Sequence, residues 1–188
     1  MLLKNKEIAF IGIMMAFAVL LQTLGGYLES STLFFLAAAS FLTGIIERNF
    51  SVAVSVVFLA GSALLGFFLA PQKAYIGTFV MFSVYVIVAE FFEKKVFLQE
   101  EKKSPVFEWG IKGLIYHVFL FLTIFFIWKL FGFEDMAKNK VIAVLFEHKA
   151  LLFPVFLLAA EALWILFDRA YIFFMRNYSR YFKADRYL

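Results

Sequence analysis

Two ionisable residues stand inside long apolar runs of this 188-residue chain, and they are where chemistry is first to be sought. Glu161 lies about ten residues from either end of the run 150–171, and His117 lies about eight residues into the run 109–131. A carboxyl and an imidazole at matched depth can form an ion pair or a neutral hydrogen bond, and either relieves the penalty of burying each alone. Such a pair serves equally to tie two helices together or to hold a substrate or a proton. The other charges in apolar surroundings have plainer roles. Lys129 beside Trp128 can snorkel to an interface, Glu90 and Lys94 are one turn apart and can pair, and Asp168 with Arg169 belongs to the membrane boundary.

A second set of polar and aromatic residues gathers where apolar runs end. Gln22, Tyr27, Glu29, Gln72, Lys73 and Tyr75 are brought toward one face, where they form a mouth able to recognise a small ligand or simply anchor helices at the interface. Tyr27, Glu29, Lys73 and Tyr75 are the candidate solute-binding residues there, with Glu161 and His117 as a deeper alternative. Small residues make a third pattern. Ala9, Gly12 and Ala16 share one face of the first run, Ser40 and Gly44 repeat the spacing in the second, and Ser62 and Gly66 repeat it in the third. Small side chains let another helix approach closely, within the bundle or from a partner protein.

Several chemistries are excluded. The chain has no cysteine, so it offers no thiolate ligand, disulfide or cysteine nucleophile. It contains neither a G-x-x-x-x-G-K-[ST] phosphate loop nor an H-E-x-x-H helix. His117 and His148 fall on different elements without a nearby ligand cluster, so no metal, cofactor or catalytic site is expected. The protein does not read as an enzyme.

These residues must be positioned by membrane helices. Of the residues, 64% are hydrophobic and only 17% charged, against roughly 45 to 50% and about 25% in soluble domains. The apolar runs are continuous rather than alternating, so they are helices and not barrel strands. Six runs approach the roughly 20 residues needed to cross a bilayer: 8–24, 32–46, 51–70, 75–92, 109–131 and 150–171. The second is short and needs help from Ser30 and Ser31 or a thinned bilayer. With both termini cytoplasmic, 13 of the 18 basic residues fall inside, among them Lys4, Lys6, Arg48, Lys112, Arg169 and the tail bases. The expected fold is therefore an all-α polytopic bundle of six transmembrane helices, a single integral domain over 1–188 in the cytoplasmic (inner) membrane. The first run is too long for a secretory signal and lacks a small-residue cleavage site, so it is retained.

Between the spans, 93–108 carries both signs of charge and reads as a cytoplasmic linker separating four helices from two. The outer segment 132–149 contains the apolar strip Val141 to Phe146, either an interfacial helix or a lid over an outward cavity. The tail 172–188 mixes Arg and Lys with Tyr and Phe, the composition of an attachment to anionic lipid rather than to nucleic acid. No internal repeat is evident.

The small-residue first span, AFIGIMMAFAVLL, within a six-helix chain of this size resembles the substrate-capture (S) components of energy-coupling factor transporters. The segment SSTLFFLAAASF, then Pro71, Gln72 and Lys73, the EWGIK stretch at 108–112 and the FDRA run at 167–170 are similar to a group of small bacterial membrane proteins regarded as S-component-like. The resemblance implies capture of a small solute at the outer mouth and tilting of the bundle. A separate transmembrane coupling subunit with two ATPases would drive release, docking on Ala9, Gly12 and Ala16. The compact build also resembles the shape-determining protein MreD, which implies the alternative of a non-transporting envelope scaffold recruiting partners at its cytoplasmic face.

Overall fold

The computed structural model describes residues 4–92, 109–122, 125, 129, 149–177 and 181. The side chains of residues 29, 74, 149–153 and 156 fall outside that description. So do the linker 93–108, the segment 132–148 and most of the tail beyond 177. The described residues are helical throughout their regular structure, with no strand among them. We label the helices α1 (Asn5–Tyr27), α2 (Thr32–Asn49), α3 (Val52–Leu69), α4 (Ala74–Phe92), α5 (Trp109–Leu122) and α6 (Lys149–Asn177).

Local chemistry sets the helix ends. The Glu7 carboxylate accepts the Lys4 backbone N–H at 2.7 Å, satisfying a donor that the first turn of α1 would leave open. Ser51 caps α3 by accepting from the Val54 N–H at 3.4 Å. Between α1 and α2 the chain makes a short 3-10 turn over Glu29–Ser31, and the Thr32 hydroxyl reaches back to the Gly25 carbonyl at 2.8 Å. A Cβ on Gly26 would sit 2.7 Å from Pro71 Cδ, so only glycine lets the end of α1 press against the α3–α4 loop. The three connections within α1–α4 are only a few residues long, which makes these helices antiparallel neighbours.

The centre of the bundle is α2. Every residue from Ala39 to Glu47 is buried, because α1, α3, α4 and α6 all pack around this helix. The outer surface inverts the pattern of a soluble protein: Val57 is 68% exposed and Phe68 71%, while Ser40, Thr43, Ser55, Ser62 and Ser83 are fully buried. Large apolar side chains facing outward and hydroxyls facing inward suit hydrocarbon surroundings. Consistently, α1, α3 and α4 are each long and apolar enough to cross a bilayer. The chain thus has the make-up of a membrane protein.

The remaining pair joins this body through aromatic packing. Phe167 of α6 stacks on Phe82 of α4 at 4.5 Å between ring centroids and tilts against Phe41 of α2 at 5.5 Å. One turn earlier on α6, Trp164 stacks on Tyr116 of α5 at 5.7 Å. Aromatic rings supply large contact areas where no water is available to drive association.

Candidate functional site: an aromatic cavity above a polar layer

Three polar assemblies link the helices. In the first, Arg48 at the end of α2 grips Glu90 of α4 with two parallel bonds, Nε to Oε2 at 2.8 Å and Nη2 to Oε1 at 2.6 Å. Tyr171 of α6 donates its hydroxyl to the same carboxylate at 2.5 Å. Glu90 is 1% exposed, and a guanidinium and a phenol supply the hydrogen bonds its carboxyl oxygens would otherwise lack there. Glu90 is thus held across helices by Arg48, while Lys94, the partner expected for it from sequence, lies outside the described residues. Helix α4 presents Glu90 inward, and α2, running parallel to α4 with its own last turn at the same level, delivers Arg48 to it.

In the second, Tyr85 of α4 accepts from the Trp164 indole N–H at 3.1 Å and donates to Asp168 at 3.0 Å. Lys112 of α5 stands 3.8 Å from that carboxylate, with both side chains almost fully enclosed. Asp168 is therefore enclosed among the helices rather than presented on the bundle's surface. Arg169 instead lies over the Trp109 ring at 4.8 Å.

The third assembly is the pair expected from sequence. His117 Nε2 and Glu161 Oε1 are 2.6 Å apart, and His117 Nδ1 is 2.7 Å from the Gly113 carbonyl oxygen. Both side chains are partly open, at 48% and 32%. The pair sits on the outer side of the α5–α6 contact, with the Tyr116 hydroxyl donating to the Ala160 carbonyl at 3.0 Å beside it.

The expected mouth is less convergent. Tyr27 is exposed, and Tyr75 is partly buried against the core. Lys73 folds back to cap the end of α3, donating to the carbonyls of Phe67 and Phe68 and to that of Ala70 at 3.0 Å. No hydrogen bond joins Tyr27, Lys73 and Tyr75 to one another, and the Glu29 side chain lies outside the described residues. Gln22 is not part of a mouth at all: it is fully buried between α1 and α3, its amide donating to the Ser62 carbonyl at 3.4 Å.

The small-residue faces divide in two. Gly44 abuts Tyr171 and Val86, and Gly66 abuts Gln22 and Ile76, so both serve packing within the bundle. Ala9, Gly12 and Ala16 are exposed, and nothing lies within 4 Å of a Cβ built on Gly12.

A feature that sequence did not reveal lies between α2, α4, α5 and α6: a cavity of about 410 Å³. Leu33 and Ala37 wall it on α2, Met81, Phe82 and Tyr85 on α4, Tyr116 and Phe119 on α5, and Trp164 and Phe167 on α6. Tyr85 and Trp164 also belong to the polar layer, so hydrogen-bonded side chains form part of the wall of an otherwise apolar space. Among the described residues no cluster of three histidines or acidic groups could hold a metal. What this arrangement can do is bind a small apolar body between rigid aromatic rings. The Arg48, Glu90, Tyr85 and Trp164 contacts escaped sequence reasoning because their partners are some 40 or 80 residues apart. One signal was present at Asp168: beyond Arg169 the apolar run resumes over 170–175, which marks a charge within the helix rather than at its end.

Comparison with protein-family models, with curated proteins and with solved structures gave no match.

Proposed function

We propose that the chain is a multi-pass protein of the cytoplasmic (inner) membrane, crossing six times with both ends in the cytosol. It captures a small solute for import in the manner of an S component, together with a separate transmembrane coupling subunit and its ATPases. The observation that carries capture is the cavity of about 410 Å³ among four helices, a size within the roughly 300 to 1,000 Å³ of small-molecule sites. The exposed face of Ala9, Gly12 and Ala16 supports docking of the coupling subunit, since close helix approach there meets no side chain of this chain.

Native mass spectrometry of the protein purified with its native partners tests both halves. A capture subunit retains a small molecule and copurifies with a membrane-embedded partner, and Gly12→Leu or Ala16→Leu removes the partner while the ligand stays. A protein that never carries a ligand, yet loses its envelope partners when 176–188 is deleted, would be a scaffold instead.

A further inference from the structure

We propose that the ligand of the cavity is a single hydrocarbon chain, straight or isoprenoid, that enters sideways from the bilayer. This rests on the capture function proposed above and names its ligand class. The wall is the first reason. Its tyrosine and tryptophan polar atoms are already engaged: Tyr116 with the Ala160 carbonyl, Trp164 with Tyr85, and Tyr85 with Asp168. A polar solute would surrender its water and meet groups committed elsewhere, whereas a hydrocarbon surrenders nothing.

The second reason is the opening. Leu33, Phe34, Leu163 and Leu166 line the cavity and are 50 to 70% exposed, so it opens on the flank of the bundle where lipid lies. The third is shape. Along α4 the wall runs from Thr78 to Tyr85, about 10 Å at 1.5 Å per residue, and along α6 from Ala159 to Ala170, about 16 Å. The slot begins near the starts of α2 and α4, which leaves a polar end group at the membrane surface while the chain extends inward. Stacked rings at Trp164, Tyr116, Phe82 and Phe167 make rigid walls, and close contact with them is what distinguishes this slot from loose lipid.

Trp164 provides the reporter. In full-length protein carrying Trp109→Phe and Trp128→Phe, reconstituted in phosphatidylcholine nanodiscs, 9,10-dibromostearate should quench Trp164 fluorescence saturably. Unlabelled stearate or farnesol should reverse it, the effective competitor telling a straight chain from an isoprenoid one. Ala37→Phe and Thr78→Phe fill the slot and should weaken quenching roughly tenfold, equivalent to about 1.4 kcal/mol. Leu64→Phe on the outer face of α3 should leave it unchanged, and melting temperatures confirm that each variant folds. Quenching that does not saturate, or that survives both filling substitutions in folded protein, overturns the proposal. Should a water-soluble compound instead copurify and resist both competitors, the hydrocarbon assignment fails while capture stands. If neither kind of ligand binds, both fail.

Discussion

His117 shows how a few ångströms settle a protonation pattern. A carbonyl oxygen can only accept, so the Nδ1 atom facing Gly113 carries the hydrogen, and the 2.6 Å contact between Nε2 and Glu161 holds a single proton belonging to either partner. Glu161→Gln retains a donor toward Nε2 and should cost little, while Glu161→Ala removes it. A double-mutant cycle with His117→Ala, read by reversible unfolding in detergent, should give a coupling of about 0.6 to 2 kcal/mol. Strict additivity would show that the contact contributes nothing. The Arg48 and Glu90 pair predicts an asymmetry instead. Arg48→Met deprives a 1% exposed carboxylate of its cation and should cost about 3 to 5 kcal/mol. Glu90→Gln leaves an arginine that is one-third open and can turn toward the interface, so it should cost distinctly less. Equal losses in the two variants would argue against a buried charge at 90.

Among the elements, glycines separate packing that is complete from packing that is open. A Cβ on Gly44 would press on the Tyr171 hydroxyl and lie 2.9 Å from Val86, and Tyr171 cannot withdraw without releasing Glu90. Gly44→Ala should therefore destabilise the bundle by about 1 to 3 kcal/mol. A Cβ on Gly12 has nothing within 4 Å among the described residues, so Gly12→Leu should leave the melting temperature unchanged, and any effect it has on a partner is an effect on docking. Helix ends were largely legible: α3 occupies Val52–Leu69 where the apolar run spans 51–70, since hydropathy and the Ser51 cap agree. Helix α6 continues to Asn177, past the 171 expected for the end of its span, with Asp168 beside Lys112, Arg169 over Trp109, and Tyr171 and Met175 buried beyond them. Residues facing each other within one depth, such as His117 and Glu161, could be matched by counting. The cavity could not, because it is a gap left by four helices and no single run of sequence encodes a gap.

At the scale of the whole molecule, the arrangement rests on orientation. The six crossings proposed above, with the basic residues gathered inside, predict that reporters fused to the first and last residues both signal from the cytosol. Reporters on opposite sides would require one helix to lie flat. Attention then falls on α2, whose residues from Ala39 to Glu47 are all buried among its neighbours, while side chains near its start, Leu33 and Phe34, face outward. Over its buried stretch such a helix has little to offer lipid and much to offer other helices, which bears on biogenesis. During synthesis it emerges second, before three of the four helices that pack around it have been made. A nascent chain halted after Asn49 should hold this segment only loosely in the insertion machinery, and releasing α3 and α4 from the ribosome should draw it in. The last step of assembly would thus concern one of the earliest segments translated.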